Sequence, residues 1–280
     1  MSKKKRKIKY DNLIAFMVII AGIGLLIYSS YNIITWYLAN KENAKIKEEL
    51  QENIVIKKVE DTEDEKEVVE QYQIDFKSLK EQNNETVGYV KVNDTNIDYV
   101  VVQHNDNSYY LKHNFEKSWN NAGWIFADYH NKLDGTDKNI VIFGHNTRDN
   151  SMFGTLKSIL NEEWYKNEEN HRVVFVTEKG TYYYQVFSTY SIKQEDYYIN
   201  TEFKTDDEFN DFIKTIKSRS VYDYNIEVSK EDKILTLSSC IGDGSKRVVL
   251  HAKLIKNWVD KMIWTPFLGR NRNEVFIWEN

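Results

Sequence analysis

Hydrophobic residues are distributed unevenly along the chain, and one long apolar stretch dominates its beginning. Residues 12–40 contain no charged side chain, and residues 13–28 are almost entirely apolar. A bilayer core is crossed by about 20 residues of helix, so this stretch predicts a transmembrane helix. A cleaved secretory signal has an apolar region of only about 7 to 15 residues and a small-residue cleavage site, and no such site follows here. The pattern therefore favours a retained signal anchor at 12–40.

Positive charge is concentrated directly before this helix, in the basic tail at 1–11. Lysine and arginine next to a membrane helix stay in the cytoplasm, so the residues after the helix are expected outside, with Trp36 and Tyr37 at the outer interface. The run KKKRKIK is also compatible with nucleic-acid binding. Its position against an apolar helix, and a net charge of only −5, favour a topological role.

Charged residues dominate the next part of the chain, 41–71, which reads as an acidic stalk or linker. Ile46, Leu50 and Ile54 recur there at helical spacing and predict a short amphipathic stretch. The acidic run at 61–67 is typical of a solvated spacer.

Short runs of Val, Ile, Tyr and Phe then alternate with turn-like residues. This pattern predicts one folded domain at 72–256, which is large enough to be a catalytic domain. A short helix is expected around Phe76 and Leu79, with a stop at Asn83. Helical insertions are expected at 152–160 and 205–218. Eight runs are predicted as strands of a β-barrel or sandwich: 87–92, 97–103, 123–127, 140–143, 173–177, 182–190, 234–238 and 248–255.

Composition narrows the class of protein. A content of 41% hydrophobic and 14% aromatic residues allows a sizeable core and excludes wholesale disorder. One cysteine excludes a disulfide framework and a multi-cysteine zinc site. From Phe76 to Ile255 no clustered carboxylates argue for a structural calcium, and the sequence implies no metal and no cofactor.

The single cysteine, Cys240, follows the apolar run 234–237 and precedes the turn-prone residues 242–245. This places it at the end of a strand, where side chains are accessible. Burial as a small hydrophobe is the commonest fate of a free cysteine. An unpaired thiol on an exported chain is instead a candidate for reactivity. The pattern leaves both alternatives open.

A catalytic thiol needs a proton partner, and the chain has six histidines. His145 follows the run 140–143 and a glycine, so it is also predicted at a strand end, whereas His251 lies within a strand. Arg247 opens the next strand, so a hairpin would bring its guanidinium beside the sulfur, where it lowers the thiol pKa and binds an oxyanion. A structural histidine and a surface ion-pairing arginine are the alternatives.

These residues lie in segments that resemble a known family. TLSSC at 236–240, followed by KRVVLHAKLI, and IVIFGHN at 140–146 are similar to the active site of sortases, the cysteine transpeptidases that attach proteins to the Gram-positive cell wall. The resemblance is to class B sortases and runs from Phe76 to Ile255. It includes the blocks NIDYVVVQHNDNSYYLKHNF, GWIFADYHN and DYYINTEF.

The resemblance implies a mainly β fold, an eight-stranded sortase-type β-barrel with an N-terminal helical extension and a helix before the cysteine-bearing strand. By motif it assigns Cys240 as nucleophile, His145 as general acid/base and Arg247 as the oxyanion-stabilising residue. It also implies a set of positions that contact the substrate: Ser238, Asn107, Leu111, Tyr198 and Ile199.

Three features depart from the family pattern. Ser239 stands where threonine is usual and keeps a hydroxyl, while Phe143 replaces a tyrosine found in some relatives. The segment between Cys240 and Arg247 is shorter than in some members, so Asp243 is not assigned as a third catalytic residue. The resemblance ends near Lys256, and the aromatic extension 257–280 has no assigned role.

The resemblance further implies that Cys240 attacks a C-terminal sorting signal of the NPxTN or NPxTG kind after its threonine. A peptidoglycan cross-bridge amine, or its lipid-linked precursor, would resolve the thioacyl-enzyme. The expected partners are sorting-signal-bearing exported proteins, that amine and the membrane, with no nucleic acid. Two other classes stay open: another extracytoplasmic Cys/His wall hydrolase or L,D-transpeptidase, and a non-catalytic anchored binding module with a buried cysteine.

Overall fold

The computed structural model describes residues 10–60, 68–193, 195–241 and 246–255. The basic residues 3–9, the acidic run 61–67, the turn-prone residues 242–245 and the aromatic extension 257–280 therefore lie outside the described residues.

The first described element is one long helix, α1, at Tyr10–Gln51. It is long and apolar enough to cross a membrane, and the apolar side chains of its first half contact little else in the protein. α1 does not end with the apolar stretch. Ile46 and Leu50 are buried at 5% and 2% exposure in the core of the following domain. Residues 41–51, which the sequence assigned to a stalk, are therefore the docked end of α1.

A two-stranded hairpin follows α1. Strand β1 (Ile54–Glu60) pairs antiparallel with β2 (Val68–Ile74), with Ile54 opposite Ile74. Sequence analysis did not predict these strands, because their charged residues resemble a solvated linker. Helix α2 (Phe76–Gln82) comes next, capped by the Asp75 carboxylate and ended at Asn83, close to the predicted bounds.

Eight strands of the described residues close into a barrel, and they correspond one by one to the eight predicted runs. Their bounds are β3 Thr86–Val92, β4 Asp98–Val102, β5 Phe126–Ala127, β6 Asn139–Gly144, β7 Arg172–Thr177, β8 Gly180–Lys193, β9 Ile234–Ile241 and β10 Lys246–Leu254. The order around the barrel is β10-β8-β7-β3-β4-β5-β6-β9. The predicted eight-stranded barrel is confirmed.

Most neighbouring strands are antiparallel, but β4 pairs parallel with β5, and β6 pairs parallel with β9. Parallel neighbours end at the same edge of a sheet. The ends of β6 and β9 therefore lie side by side, which decides where the candidate catalytic residues meet.

Two further helices lie outside the barrel, α3 (Glu162–Lys166) and α4 (Asp206–Ser218). Thr205 caps α4 by accepting a hydrogen bond from the Glu208 N–H at 3.1 Å, and the apolar face of α4 packs with Phe187 and Tyr190 of β8. α4 confirms the helix predicted at 205–218. The helix predicted at 152–160 is only a 3₁₀ turn at Leu156–Leu160, since Met152 has a φ of 49° that no right-handed helix accommodates.

Candidate active site

The three predicted catalytic residues come from neighbouring strands at one edge of the barrel. Gly144 of β6 pairs with Ser239 of β9, so His145 and Cys240 are the next residues on two adjacent parallel strands. Cys240 in turn is the register partner of Arg247 across the antiparallel β9–β10 pair. The backbone therefore brings together positions that are 95 and 7 residues apart in the sequence.

The end of β6 is fixed by close packing. A Cβ added at Gly144 would lie 2.5 Å from Ile125 Cδ1 and 2.7 Å from Phe153 Cγ, so only glycine fits before His145. The backbone of Phe153 donates to the carbonyl of His145 at 2.9 Å. His145 is thus held at its backbone by the turn that follows the strand.

The imidazole of His145 is half-buried, and its Nε2 lies 2.8 Å from the backbone carbonyl oxygen of Leu111. A carbonyl oxygen only accepts hydrogen bonds, so Nε2 carries a hydrogen. In the neutral ring, Nδ1 is then the nitrogen that accepts a proton. Leu111, predicted as a substrate contact, acts here through its main chain on the candidate acid/base.

Gly123 lies directly behind the same ring. Its φ is +60°, and a Cβ there would lie 2.4 Å from the Tyr110 carbonyl oxygen and 3.0 Å from His145 Cδ2. Both the left-handed backbone and the lack of space require glycine. Sequence reasoning missed this residue, because a glycine at the start of an apolar run looks like an ordinary turn.

Arg247 is half-buried near the start of β10, between Cys240 of β9 and Ile192 of β8 in the ladder. Its Nη1 donates to the Lys246 carbonyl at 3.3 Å. A guanidinium keeps its charge at any physiological pH, so this edge of the barrel carries a fixed positive charge.

His251 is excluded as an acid/base by its surroundings. It is fully buried; its Nε2 accepts from the Tyr190 hydroxyl at 2.9 Å, and its Nδ1 lies 2.8 Å from Thr236 Oγ1. Thr236 gives its one hydroxyl hydrogen to Asn139 at 2.7 Å, so Nδ1 is the donor to Thr236. Burial lowers the pKa of His251 to about 3, which keeps the ring neutral.

The predicted substrate residues separate into two groups. Ser238 and Tyr198 are buried at 3% and 2% exposure, and their hydroxyl oxygens lie 3.0 Å apart. Asn107 and Ile199 line a cavity of about 750 Å³ whose other wall is formed by α4. Asn107 is held in place, since its amide donates to Asp128 at 2.8 Å and accepts from the Tyr129 N–H at 3.1 Å.

A second cavity, of about 970 Å³, lies between α1 and the turn after β6. Ile33 and Trp36 of α1 form part of one wall, and His145, Arg148 and Lys157 form part of the other. The candidate acid/base is therefore open to space that α1 helps to enclose.

Comparisons with known proteins agree with this geometry. Residues 90–255 match the family model of the sortase domain. The chain is 32% identical over 238 residues to Sortase B of Staphylococcus aureus, which covers 84% of this chain and 93% of that protein. It is 37% identical over 188 residues to Sortase B of Listeria monocytogenes, covering 65% of this chain and 74% of that protein.

Among solved structures, sortase B from B. anthracis in complex with AAEK1 superposes with a TM-score of 0.67 at 33% identity, covering 78% of this chain and 99% of that one. The chain therefore belongs to the sortase family. Within that family its relatives are of class B, and the protein is a cell-wall cysteine transpeptidase. The hydrolase and binding-module alternatives find no support in these relatives.

Proposed function

We propose that this transpeptidase cleaves a C-terminal sorting signal of the NPxTN or NPxTG kind after its threonine and joins the protein to a peptidoglycan amine. The observation that carries the proposal is the meeting of Cys240, His145 and Arg247 at one barrel edge, inside the region that matches the sortase model. A thiol nucleophile, an imidazole acid/base and a guanidinium oxyanion donor together can carry acyl transfer through a thioester.

In the first half-reaction, the Cys240 thiolate attacks the threonine carbonyl carbon and a C–S bond forms. Arg247 stabilises the negative charge that develops on the carbonyl oxygen. The C–N bond then breaks, and His145 gives the proton on Nδ1 to the departing amine. Its Nε2 hydrogen stays bound to the Leu111 carbonyl throughout, so the ring keeps its orientation.

In the second half-reaction, an amine from the peptidoglycan cross-bridge or its lipid-linked precursor attacks the thioester. Nδ1 of His145 takes the proton from that amine, the new C–N bond forms, and the C–S bond breaks to return the thiolate. One amide is exchanged for another, so the two steps need no nucleotide.

The cavity lined by Asn107, Ile199 and α4 is the proposed groove for the sorting signal. Its wall residue Phe212 offers apolar surface, and the fixed amide of Asn107 stands beside the carboxylate of Asp128. The pair of Ser238 and Tyr198 would support the groove from below rather than bind peptide, because both side chains are buried.

Acylation of the cysteine is the direct test. The full chain in detergent is incubated with a panel of sorting-signal peptides, and mass spectrometry looks for an adduct on Cys240 that ends at the motif threonine. Cys240→Ala is the control that must show no adduct. If no peptide acylates the protein while an alkylating reagent labels the thiol, the substrate class is wrong and murein peptides are the next panel.

We also propose that α1 anchors the protein with its N-terminus in the cytoplasm and the barrel outside. The apolar half of α1 and the basic residues before it support this topology. Cys240 is the only cysteine of the chain, so a membrane-impermeant maleimide applied to intact spheroplasts reports its side directly. Labelling without permeabilisation is expected, and labelling only after permeabilisation would reverse the topology.

A further inference from the structure

One loop, residues 110–124, lies between helix α1 and the imidazole of His145. Two hydrogen bonds join its first limb, residues 110–112, to its second limb, residues 120–124. The Asn120 N–H donates to the Lys112 carbonyl at 2.8 Å, and the Trp124 N–H donates to the Tyr110 carbonyl at 2.9 Å. A displacement of one limb is therefore passed to the other.

The inner side of this 110–124 loop holds the ring of His145. The Leu111 carbonyl accepts the Nε2 hydrogen at 2.8 Å, and Gly123 packs near the ring, since a Cβ at this glycine would lie 3.0 Å from Cδ2. These two contacts, one from each limb, define where the imidazole lies.

The outer side of the same loop is held by α1. The amide of Asn43 donates to the Gly123 carbonyl at 3.0 Å. In the opposite direction, the amide of Asn120 donates to the Ala39 carbonyl and to the Glu42 carboxylate, each at 3.0 Å. The carbonyl that Asn43 binds thus belongs to the residue that packs against His145.

The docked face of α1 uses asparagine where an aliphatic residue would bury more apolar surface. Asn40, Asn43, Ile46 and Leu50 share one helical face, and Asn43 is only 1% exposed. Burying an amide is costly unless its hydrogen bonds are made. A directional donor at this position fixes the distance between helix and loop, which an aliphatic contact does not.

We propose that Asn43 is a positioning residue for His145, acting through the Gly123 carbonyl and the 110–124 loop. This rests on the proposed role of His145 as the acid/base. The membrane helix is then part of the catalytic apparatus, because its docked end sets the position of the imidazole. Small displacements of a reacting group, of order 1 Å, reduce rates by up to about 100-fold.

The test uses the full chain in detergent, with the substitutions Asn43→Ala and Asn43→Asp. The aspartate variant keeps the shape of asparagine and, when ionised, lacks the donor, so turnover is measured at a pH where the carboxyl is charged. Gln51→Ala is the matched control, since it also removes a helix-to-barrel hydrogen bond, the one from Gln51 Nε2 to Asp98 at 2.7 Å, at the far end of the docked segment. Thermal unfolding of each variant shows whether the chain is folded.

Peptide turnover and the ring nitrogens of His145 are then measured. Both Asn43 variants are expected to lose about 10- to 100-fold in kcat with little change in KM. ¹⁵N-histidine NMR, assigned with His145→Gln, is expected to show an Nε2–H tautomer in the wild type and a mixture of tautomers in the variants. Gln51→Ala should resemble the wild type in both measurements.

Three results overturn the proposal: a kcat for Asn43→Asp within about two-fold of the wild type, an unchanged tautomer, or an equal loss in Gln51→Ala. Failure of the proposed function is distinguishable, because it is seen as the absence of any acyl adduct on the wild-type protein. The NMR comparison of His145 tautomers does not depend on turnover. It therefore tests whether Asn43 positions His145 even if the proposed reaction is wrong.

Discussion

Cys240 and Arg247 are directly opposed residues in the β9–β10 ladder. Opposed positions of an antiparallel pair have Cβ atoms about 4.5 to 5.5 Å apart and share one face of the sheet. The strand register therefore places Arg247 next to Cys240 in the sheet.

Arg247→Lys keeps the positive charge and removes the planar guanidinium. If the guanidinium binds the oxyanion, kcat for peptide transfer falls by about 100-fold, since loss of one oxyanion donor typically costs that much. Steady-state kinetics with the peptide found in the acylation screen measure it. Arg219→Lys, at a surface arginine 3.6 Å from Glu195, is the control and should keep its rate. If Arg247→Lys turns over at the wild-type rate, the Arg247 guanidinium does not stabilise the oxyanion.

Gly123→Ala should damage both stability and catalysis. The left-handed backbone costs about 1 to 2 kcal/mol for an L-residue, and the added Cβ would meet Tyr110 and His145. Gly135→Ala is the matched control, because its φ is +92° but nothing lies within 4 Å of its Cβ position. Both variants should melt at lower temperature, and only Gly123→Ala should lose turnover. Equal activity of the two variants would mean that the glycine does not support the histidine.

Tyr198→Phe removes the hydroxyl partner of Ser238 and leaves a buried serine oxygen with one contact fewer. The expected cost is about 1 kcal/mol of unfolding free energy. If the pair supports the peptide groove, KM for the peptide rises while kcat changes little. Tyr224→Phe removes a similar buried contact, 2.9 Å from Thr189 Oγ1, and should cost comparable stability with an unchanged KM. A rise of KM in both variants would argue for a general loss of rigidity.

His251 makes stability depend on pH. Its folded pKa of about 3 lies below the ordinary value of 6.5, so between these values the unfolded chain binds the additional proton. The contribution of neutral His251 to the free energy of unfolding is complete above pH 6.5. It is lost as pH falls toward 3, by at most about 1.4 kcal/mol per pH unit. Burial also lowers the pKa of His171, which acts in the same direction.

Thermal unfolding at pH 7 and pH 5 measures this dependence. His251→Gln retains an acceptor for Tyr190 and a donor for Thr236, so its melting temperature should fall less between the two pH values than that of the wild type. Tyr198→Phe removes a buried hydrogen bond but no group that titrates between pH 5 and pH 7, so it is the control and should keep the wild-type slope. A wild-type slope in His251→Gln would assign the dependence to other groups.

The barrel was predictable because its strands are rich in Val, Ile, Tyr and Phe and are separated by turn residues. The site was predictable as far as it depends on side chains at strand ends, and its assembly followed from the pairing of β6 with β9. Catalytic roles for Cys240, His145 and Arg247 stay predictions until the experiments above are done.

The docked end of α1 and the β1–β2 hairpin were not predictable from the sequence pattern. Ile46 and Leu50 predict a short amphipathic stretch, but the charged residues around them favour a stalk, and nothing in the pattern shows that this stretch continues α1 and packs on the barrel. Gly123 and the Leu111 carbonyl contact His145 through main-chain atoms. The side-chain identities in the sequence do not predict such contacts. Met152, the first residue of the helix predicted at 152–160, has a left-handed φ that methionine rarely takes and that the apolar spacing does not reveal.

The parallel pairing of β6 with β9 has a consequence for biogenesis. Its paired residues, from Asn139 with Ile234 to Gly144 with Ser239, are 95 positions apart, and β9 and β10 are the last barrel strands in chain order. In the topology proposed above, the chain is translocated from its N-terminal end, so the histidine emerges long before its strand partner. The barrel cannot close, and the strand ends that carry Cys240 and His145 cannot pair, until the chain is available through Leu254. Such long-range pairing is slow to form, so the enzyme gains its activity only as its final step of folding.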